Sequence, residues 1–209
     1  MSERSAALRE AAARAGVTDR RVLDAVGAVP RSVFLPGDQV RNAGLDIALP
    51  LPCAQTTSQP SLVAQMVEAL ELTPRSRVLE IGTGHGYEAA ILSRLAAEVW
   101  TVEYVAELAH SARAILRGLD VVNVQIVCGD GRLGLPEHAP YDAIVVAAQC
   151  ERVPAPLLEQ LAVGGRLVAP VGGTGSQRCV VLRRRDEHTV DEVDDLGGVR
   201  FVPLVGAAD

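Results

Sequence analysis

Three carboxylates and a run of glycines carry most of the chemistry legible in this chain. Glu80-Ile-Gly82-Thr-Gly84-His-Gly86-Tyr87 follows the apolar run Arg77-Val-Leu-Glu-Ile81 and opens a helical stretch. Glycines in that setting permit a tight turn and let a ligand approach the backbone, while the helix start offers free N–H groups. Glu103 closes the next apolar run, where a carboxylate can accept both hydroxyls of a ribose. Asp130, within Gly129-Asp130-Gly131, closes the run after that. Any one of these acids could be a solvated strand end. Glu80, Glu103 and Asp130 at the ends of three consecutive strands mark a ligand-binding edge.

The same residues narrow the ligand. A dinucleotide loop would carry a third glycine where Tyr87 stands, and Glu80 would repel a pyrophosphate. A sulfonium donor bearing an amino-acid ammonium is instead attracted to that acid. The acid-x-Gly-x-Gly-x-Gly pattern therefore favours S-adenosyl-L-methionine over NAD. Composition excludes several other chemistries. All 20 basic residues are arginine, so no amine nucleophile, Schiff base or P-loop lysine is available. Cys53, Cys128, Cys150 and Cys179 form no C-x-x-C pair, and the four histidines show no paired-ligand spacing, so no metal site is expected. A net charge of -6 argues against nucleic acid or an anionic membrane as partner. The charged, alanine-rich N-terminus does not resemble a signal peptide, no apolar run reaches membrane length, and a cytoplasmic protein is expected.

The elements that must position these residues alternate. Helices are expected from about Glu3 to Ala15, and again after Thr18 as cap, through Leu23 and Val26. A Gly-, Pro- and Asn-rich stretch from Gly37 to Thr57 follows, with a strand-like Leu45 to Leu51 inside it; such a long irregular segment suggests a functional cover. Leu62, Val63, Met66, Val67 and Leu70 recur at helical spacing, with Pro60 in the first turn. Beyond Arg77, strands and helices alternate, and the strands are unbroken aliphatic runs, as in a parallel sheet covered on both faces. Cys179 to Leu182 and Phe201 to Val205 read as strands of an antiparallel closing edge, and the acidic run Asp186 to Asp195 as a solvated turn.

Gln55-Thr-Thr-Ser58-Gln-Pro60, followed by Leu79-Glu-Ile-Gly-Thr-Gly-His-Gly-Tyr87, resembles the protein-L-isoaspartate O-methyltransferases. Val29-Pro-Arg31 with Phe34, Gly129-Asp-Gly131, Ala139-Pro-Tyr-Asp142, Gln160-Leu-x-x-Gly-Gly-Arg166 and Val199-Arg-Phe-Val-Pro-Leu204 extend the resemblance over nearly the whole chain. It implies an α/β fold, Rossmann-like and doubly wound, with a mostly parallel sheet, an antiparallel edge near the C-terminus and an N-terminal helical segment. One domain is expected over residues 1–209: N-terminal helices and active-site loop at 1–60, a cofactor-binding core at 61–175 and C-terminal strands at 176–209. The implied activity is methyl transfer from S-adenosyl-L-methionine to the free α-carboxylate of L-isoaspartyl residues in damaged proteins or peptides. Residue by residue, the resemblance makes Ser58 the active-site residue, with Gln55, Thr56 and Thr57 lining the pocket. Glu80, Gly82 and Gly84 would cradle the methionine part of the donor, Glu103 the ribose, and Asp130 with Gly131 the adenine.

Other readings stay open at this level. Ser58 could simply cap the helix that begins at Pro60, or, less compatibly with its Thr57 and Gln59 flanks, act as a hydrolase nucleophile. His85 is expected to sit exposed in the glycine turn rather than act in catalysis. Departures from the family pattern at Leu49 to Gln55, Thr57 and Ala147 to Cys150 surround the expected peptide approach, where Cys53 and Cys150 could also come close. They leave room for a homologue dedicated to one peptide natural product, while a non-catalytic donor-binding module is the alternative of another class.

Overall fold

The computed structural model describes residues 2–173 and 175–206. Residues 207–209, the last of the expected C-terminal portion, lie outside the described residues. Helices α1 (Glu3–Arg14) and α2 (Arg20–Ala28) open the chain. Two short 3-10 helices follow, Arg31–Phe34 and Gly37–Asn42, and then a small antiparallel ribbon of β1 (Leu49–Pro50) and β2 (Thr56–Thr57). Next come α3 (Pro60–Ala69), β3 (Arg77–Ile81), α4 (Tyr87–Leu92), β4 (Glu98–Glu103), α5 (Ala106–Gly118), β5 (Val124–Cys128) and β6 (Tyr141–Val146). The chain ends with α6 (Ala155–Gln160), β7 (Leu161–Gly173), β8 (Ser176–Arg184) and β9 (Val190–Val199).

The main sheet has the order β5-β4-β3-β6-β7-β8-β9. Strands β5, β4, β3, β6 and β7 run parallel, and β8 and β9 add an antiparallel edge. From β3 the chain first winds outward through β4 and β5, then returns to the other side of β3 as β6. Strand order thus reverses between β3 and β6, and open α/β sheets bind ligands at the carboxyl ends of strands flanking such a switch point. Alternate side chains feed two cores. Val78, Val99, Ala143 and Val145 pack with α1 to α4, whereas Leu79, Ile81, Ile144 and Val146 pack with Leu157 and Leu161 on the other face. Both faces of the central strands are buried, which is why their sequences are continuous aliphatic runs.

Local chemistry overrides several expectations from the sequence. Asp19, not Thr18, caps α2, accepting from Arg21 N. Thr18 instead turns its N–H and hydroxyl to Glu68 Oε1, which also accepts from Asp19 N. The strand-like Leu45 to Leu51 shrinks to Leu49–Pro50. At the C-terminus the acidic run is not all turn: Asp186 Oδ1 accepts from His188 N and Thr189 N, and β9 begins at Val190. Cross-strand pairs of Arg178 with Glu192 and Asp195, and of Arg185 with Asp191, draw these acids onto β8. Phe201 to Val205, expected as a strand, is a strap across the cleft, held where Gln149 N donates to Val202 O and Leu204 N donates to Gln149 O.

The Glu68 carboxylate ties the α1–α2 turn to α3, and through α3 to the sheet. Glu68→Ala removes these three bonds and should lower the unfolding free energy by about 1–3 kcal/mol, read from the urea midpoint. An unmoved midpoint would mean the tie carries no stability.

Candidate active site

The glycine turn sits at the switch point. Gly82 N donates to Val102 O, Ala147 N donates to Ile81 O, and Gly82 has a φ of 95° that strains any residue with a Cβ. Glu103, only 7% exposed at the end of β4, accepts from Gly84 N at 2.8 Å through Oε2 and from Val105 N at 2.9 Å through Oε1. Each oxygen keeps acceptor capacity for a further donor. Burial pushes the Glu103 carboxyl above its ordinary value, partly opposed by these N–H bonds. Around this tie lies an open cleft enclosing about 530 Å³ of space, part of it continuous with solvent. Gln55, Thr56, Gly82, Gly84, Glu103, Gly131, Ala147 and the 202–205 strap line it. Gly131 is required there by close packing, since a Cβ would stand 2.4 Å from Ile81 Cγ2.

A second cavity adjoins the first and shares Thr56, Gly82, Gly84 and Ala147 with it. Its other walls include Thr57, Ser58, His85, Tyr87 and Glu88, with Phe34, Leu51 and Val63 supplying apolar surface. Ser58 is half-buried, and its hydroxyl makes no hydrogen bond among the described residues. It does not cap α3. That function falls to Asp46, whose Oδ1 accepts from Ser61 N at 2.8 Å and whose Oδ2 accepts from Ser61 Oγ at 2.7 Å. The capping residue lies fifteen positions upstream of the helix's second residue, so no local pattern announces it.

The backbone around Ser58 is held by Arg31, which is 2% exposed. Its guanidinium donates to Leu45 O at 2.8 Å, Ile47 O at 2.7 Å and Ser58 O at 3.2 Å, and lies 5.8 Å from the Tyr87 ring centre. The Tyr87 ring in turn meets Phe34 edge to face. One buried side chain from the N-terminal segment therefore braces both the serine loop and the first residue of α4. Its position in Val29-Pro-Arg31 was visible in the sequence, but its bonding partners were not.

Some expected site residues lie elsewhere. Glu80 is fully buried and lines neither cavity; it shares the face of β3 with Val78, beneath the glycine turn. Neither of its oxygens has a hydrogen-bond partner among the described residues. Burial, with the charge of Glu88 next, raises its carboxyl well above the ordinary value. The Asp130 carboxylate accepts from Arg132 N and Nε at 3.0 Å and from Arg132 Nη2 at 2.8 Å, so it turns toward its neighbour, and of the two residues only Gly131 is in the cleft lining. His85 is half-buried rather than exposed, its Nδ1 2.9 Å from Phe34 O. A carbonyl only accepts, so the proton sits on Nδ1. Cys53 and Cys150 remain apart as free thiols, the first exposed beside Glu107 and the second buried against Pro170 O.

The residues present fit a sulfonium donor. Acceptor capacity at Glu103 suits ribose hydroxyls, and the bare backbone at Gly82 and Gly131 admits a flat nucleoside. Fold and cleft together define the class: an α/β methyltransferase using S-adenosyl-L-methionine. The comparisons place it more finely. The family model for protein-L-isoaspartate(D-aspartate) O-methyltransferase matches residues 3–209. A protein-L-isoaspartate O-methyltransferase of Roseiflexus castenholzii is 52% identical over 193 residues, covering 92% of this chain and 88% of that protein. One from Anaeromyxobacter dehalogenans is 50% identical over 190 residues, covering 90% and 91%. A solved protein-L-isoaspartate O-methyltransferase superposes with a TM-score of 0.85 at 32% identity, over 97% of this chain and 66% of that one. A Plasmodium falciparum structure in complex with S-adenosyl-L-homocysteine shares the fold, with a TM-score of 0.84 at 21% identity, over 99% of this chain and all of that one. This chain belongs to the protein-L-isoaspartate(D-aspartate) O-methyltransferase family.

Burial also pushes Glu88 up to about 8. Its unfolded-state value is near 4.5, so the folded chain holds a proton that the unfolded chain has lost between about 4.5 and about 8, and stability falls as pH rises through that window. Glu88→Gln should therefore melt higher than the parent at about pH 8 and show a flatter dependence of Tm on pH down to about pH 5. Parallel curves for the two proteins would contradict the burial of an uncompensated carboxyl.

Proposed function

We propose that the paired cavities transfer a methyl group from S-adenosyl-L-methionine to the free α-carboxylate of L-isoaspartyl residues in damaged proteins or peptides, initiating repair through a succinimide. The observation that carries this reading is the shared wall at Thr56, Gly82, Gly84 and Ala147, where a donor cavity and an acceptor cavity meet. When bound, the donor supplies an electrophilic methyl group on a sulfonium. Everything else is positioning by the chain. Glu103 receives the ribose, the Gly82–Gly84 turn with Glu80 beneath it receives the methionine part, and Gly131, next to Asp130, borders the adenine end. Gln55, Thr56 and Thr57 complete the wall between donor and acceptor.

A substrate carboxylate with a pKa near ~4 is ionised at neutral pH and needs no general base. Ser58 holds it by a hydrogen bond from a hydroxyl that neither caps a helix nor meets another described group. Phe34, Leu51 and Val63 keep water from the reacting oxygen, and alignment of this kind is worth effective molarities of ~10⁵ M or more. The resulting methyl ester loses methanol to the neighbouring backbone nitrogen, closing the succinimide without further help from the chain. No helix among the described residues is long and apolar enough to cross a membrane. A cytoplasmic setting accords with the four free thiols.

Isoaspartyl peptide should be methylated in preference to its matched aspartyl peptide; equal or reversed preference would instead indicate a peptide-dedicated enzyme, and donor binding without methylation of either a binding module. Glu103→Ala should weaken donor binding by about 1–3 kcal/mol in calorimetry. Ser58→Ala should lower turnover with donor affinity kept, whereas full turnover would remove Ser58 from the reaction.

A further inference from the structure

The acceptor cavity has a chemical oddity at its inner end. No arginine lines it, yet the substrate group is an anion. The polar and titratable residues of its lining are Thr56, Thr57, Ser58, Thr83, His85, Tyr87 and Glu88. Thr83 is already occupied with Thr101, at 2.6 Å. Tyr87 Oη and Glu88 Oε1 are both buried and without hydrogen-bond partners among the described residues. Unsatisfied polar side chains on two consecutive residues of the cavity lining are candidates for a ligand's hydrogen bonds, because leaving such groups unmade costs ~1–3 kcal/mol each.

We propose that Glu88 is a specificity-determining residue of the acceptor cavity, acting as a neutral carboxylic acid whose O–H donates a hydrogen bond to the incoming substrate carboxylate. The inference rests on the isoaspartyl reading and deepens it. An O–H donor to a carboxylate forms a short, charge-assisted bond. A neutral acid also discriminates: it accommodates an anion without the fixed charge of an arginine, and it repels one as soon as it ionises.

Burial keeps Glu88 protonated, and the titratable groups around it are few. Glu80 faces it from β3, and Glu103 on β4 acts on Glu80 in turn. Cys179 on β8 stands within its field. His85 and Tyr87 flank it in the cavity wall, and Arg31 lies behind Tyr87 with its guanidinium turned to backbone carbonyls. No cation is paired with Glu88 among the described residues. Burial carries its pKa to about 8, so the acid is neutral at physiological pH and switches off in mild alkali.

The test is the pH dependence of KM for an isoaspartyl peptide in the parent, Glu88→Gln and Glu88→Ala, beside calorimetric affinity for S-adenosyl-L-homocysteine. In the parent, KM should rise about tenfold per pH unit above about pH 8, the slope for loss of one required proton, while affinity for S-adenosyl-L-homocysteine changes much less. Glu88→Gln, which stays neutral and still donates, should hold a KM within about threefold of the parent at neutral pH and lose the alkaline rise. Glu88→Ala should raise the neutral-pH KM about tenfold, as expected for one lost charge-assisted bond. An alkaline rise that persists in Glu88→Gln, or an unchanged KM in Glu88→Ala, would overturn the inference. Failure of the parent to methylate isoaspartyl peptide at any pH would overturn the isoaspartyl reading and this inference with it; normal methylation with an unaltered pH profile in the variants would overturn this inference alone.

Discussion

A guanidinium withdrawn from water is costly unless its donors are met, and Arg31 meets that demand at its two terminal nitrogens with backbone carbonyls rather than a carboxylate, leaving only Nε without a partner among the described residues. The consequence is geometric. The carbonyls of Leu45, Ile47 and Ser58 belong to a segment with very little regular structure of its own, and a fixed, planar fork of donors gathers them at one point. Asp46, between two of those carbonyls, is thereby placed to cap α3, which frees Ser58 to face the cavity. The guanidinium also lies over Tyr87, so the loop that carries the serine and the helix that follows the glycines are braced by a single side chain.

On the donor side the corresponding constraint is Glu103. Its bonds to Gly84 N and Val105 N join the glycine turn to the start of α5 across the end of β4. The turn's positive-φ glycines relinquish side-chain packing, and the carboxylate restores rigidity by bonding their backbone. Below the turn, Glu80 and Glu88 form a buried acid pair that ordinary stability would not favour. Glu88 belongs to the lining of the second cavity and Glu80 to neither, and the burial of Glu88 carries a pH-dependent cost to stability.

Much of this was legible in the sequence, for physical reasons. The central strands are buried on both faces, so their aliphatic runs identified themselves; the glycine turn and Glu103 follow from the spacing that a nucleoside ligand imposes. What was not legible depends on contacts distant in sequence. Asp46 caps a helix from the far side of the β1–β2 ribbon, and Arg31's partners lie fourteen to twenty-seven residues away. The acids of β9 read as a solvated turn because their arginine partners belong to β8. Asp130 read as a ligand residue, yet the arginine two positions on claims its carboxylate. Glu88 went unremarked because nothing in Gly-Tyr-Glu-Ala separates a buried acid from an exposed one.

The account holds that Arg31 shapes the acceptor wall and leaves the donor cavity to Glu103 and the glycines. Arg31→Lys, which keeps the charge but loses the planar fork, separates the two most directly when S-adenosyl-L-homocysteine affinity and kcat/KM for an isoaspartyl peptide are measured on the same folded preparation. The expected result is affinity within about twofold of the parent and kcat/KM lowered at least about tenfold, the scale of one or two lost hydrogen bonds in positioning. Unchanged kcat/KM, or a fall in donor affinity as large as the fall in turnover, would contradict it.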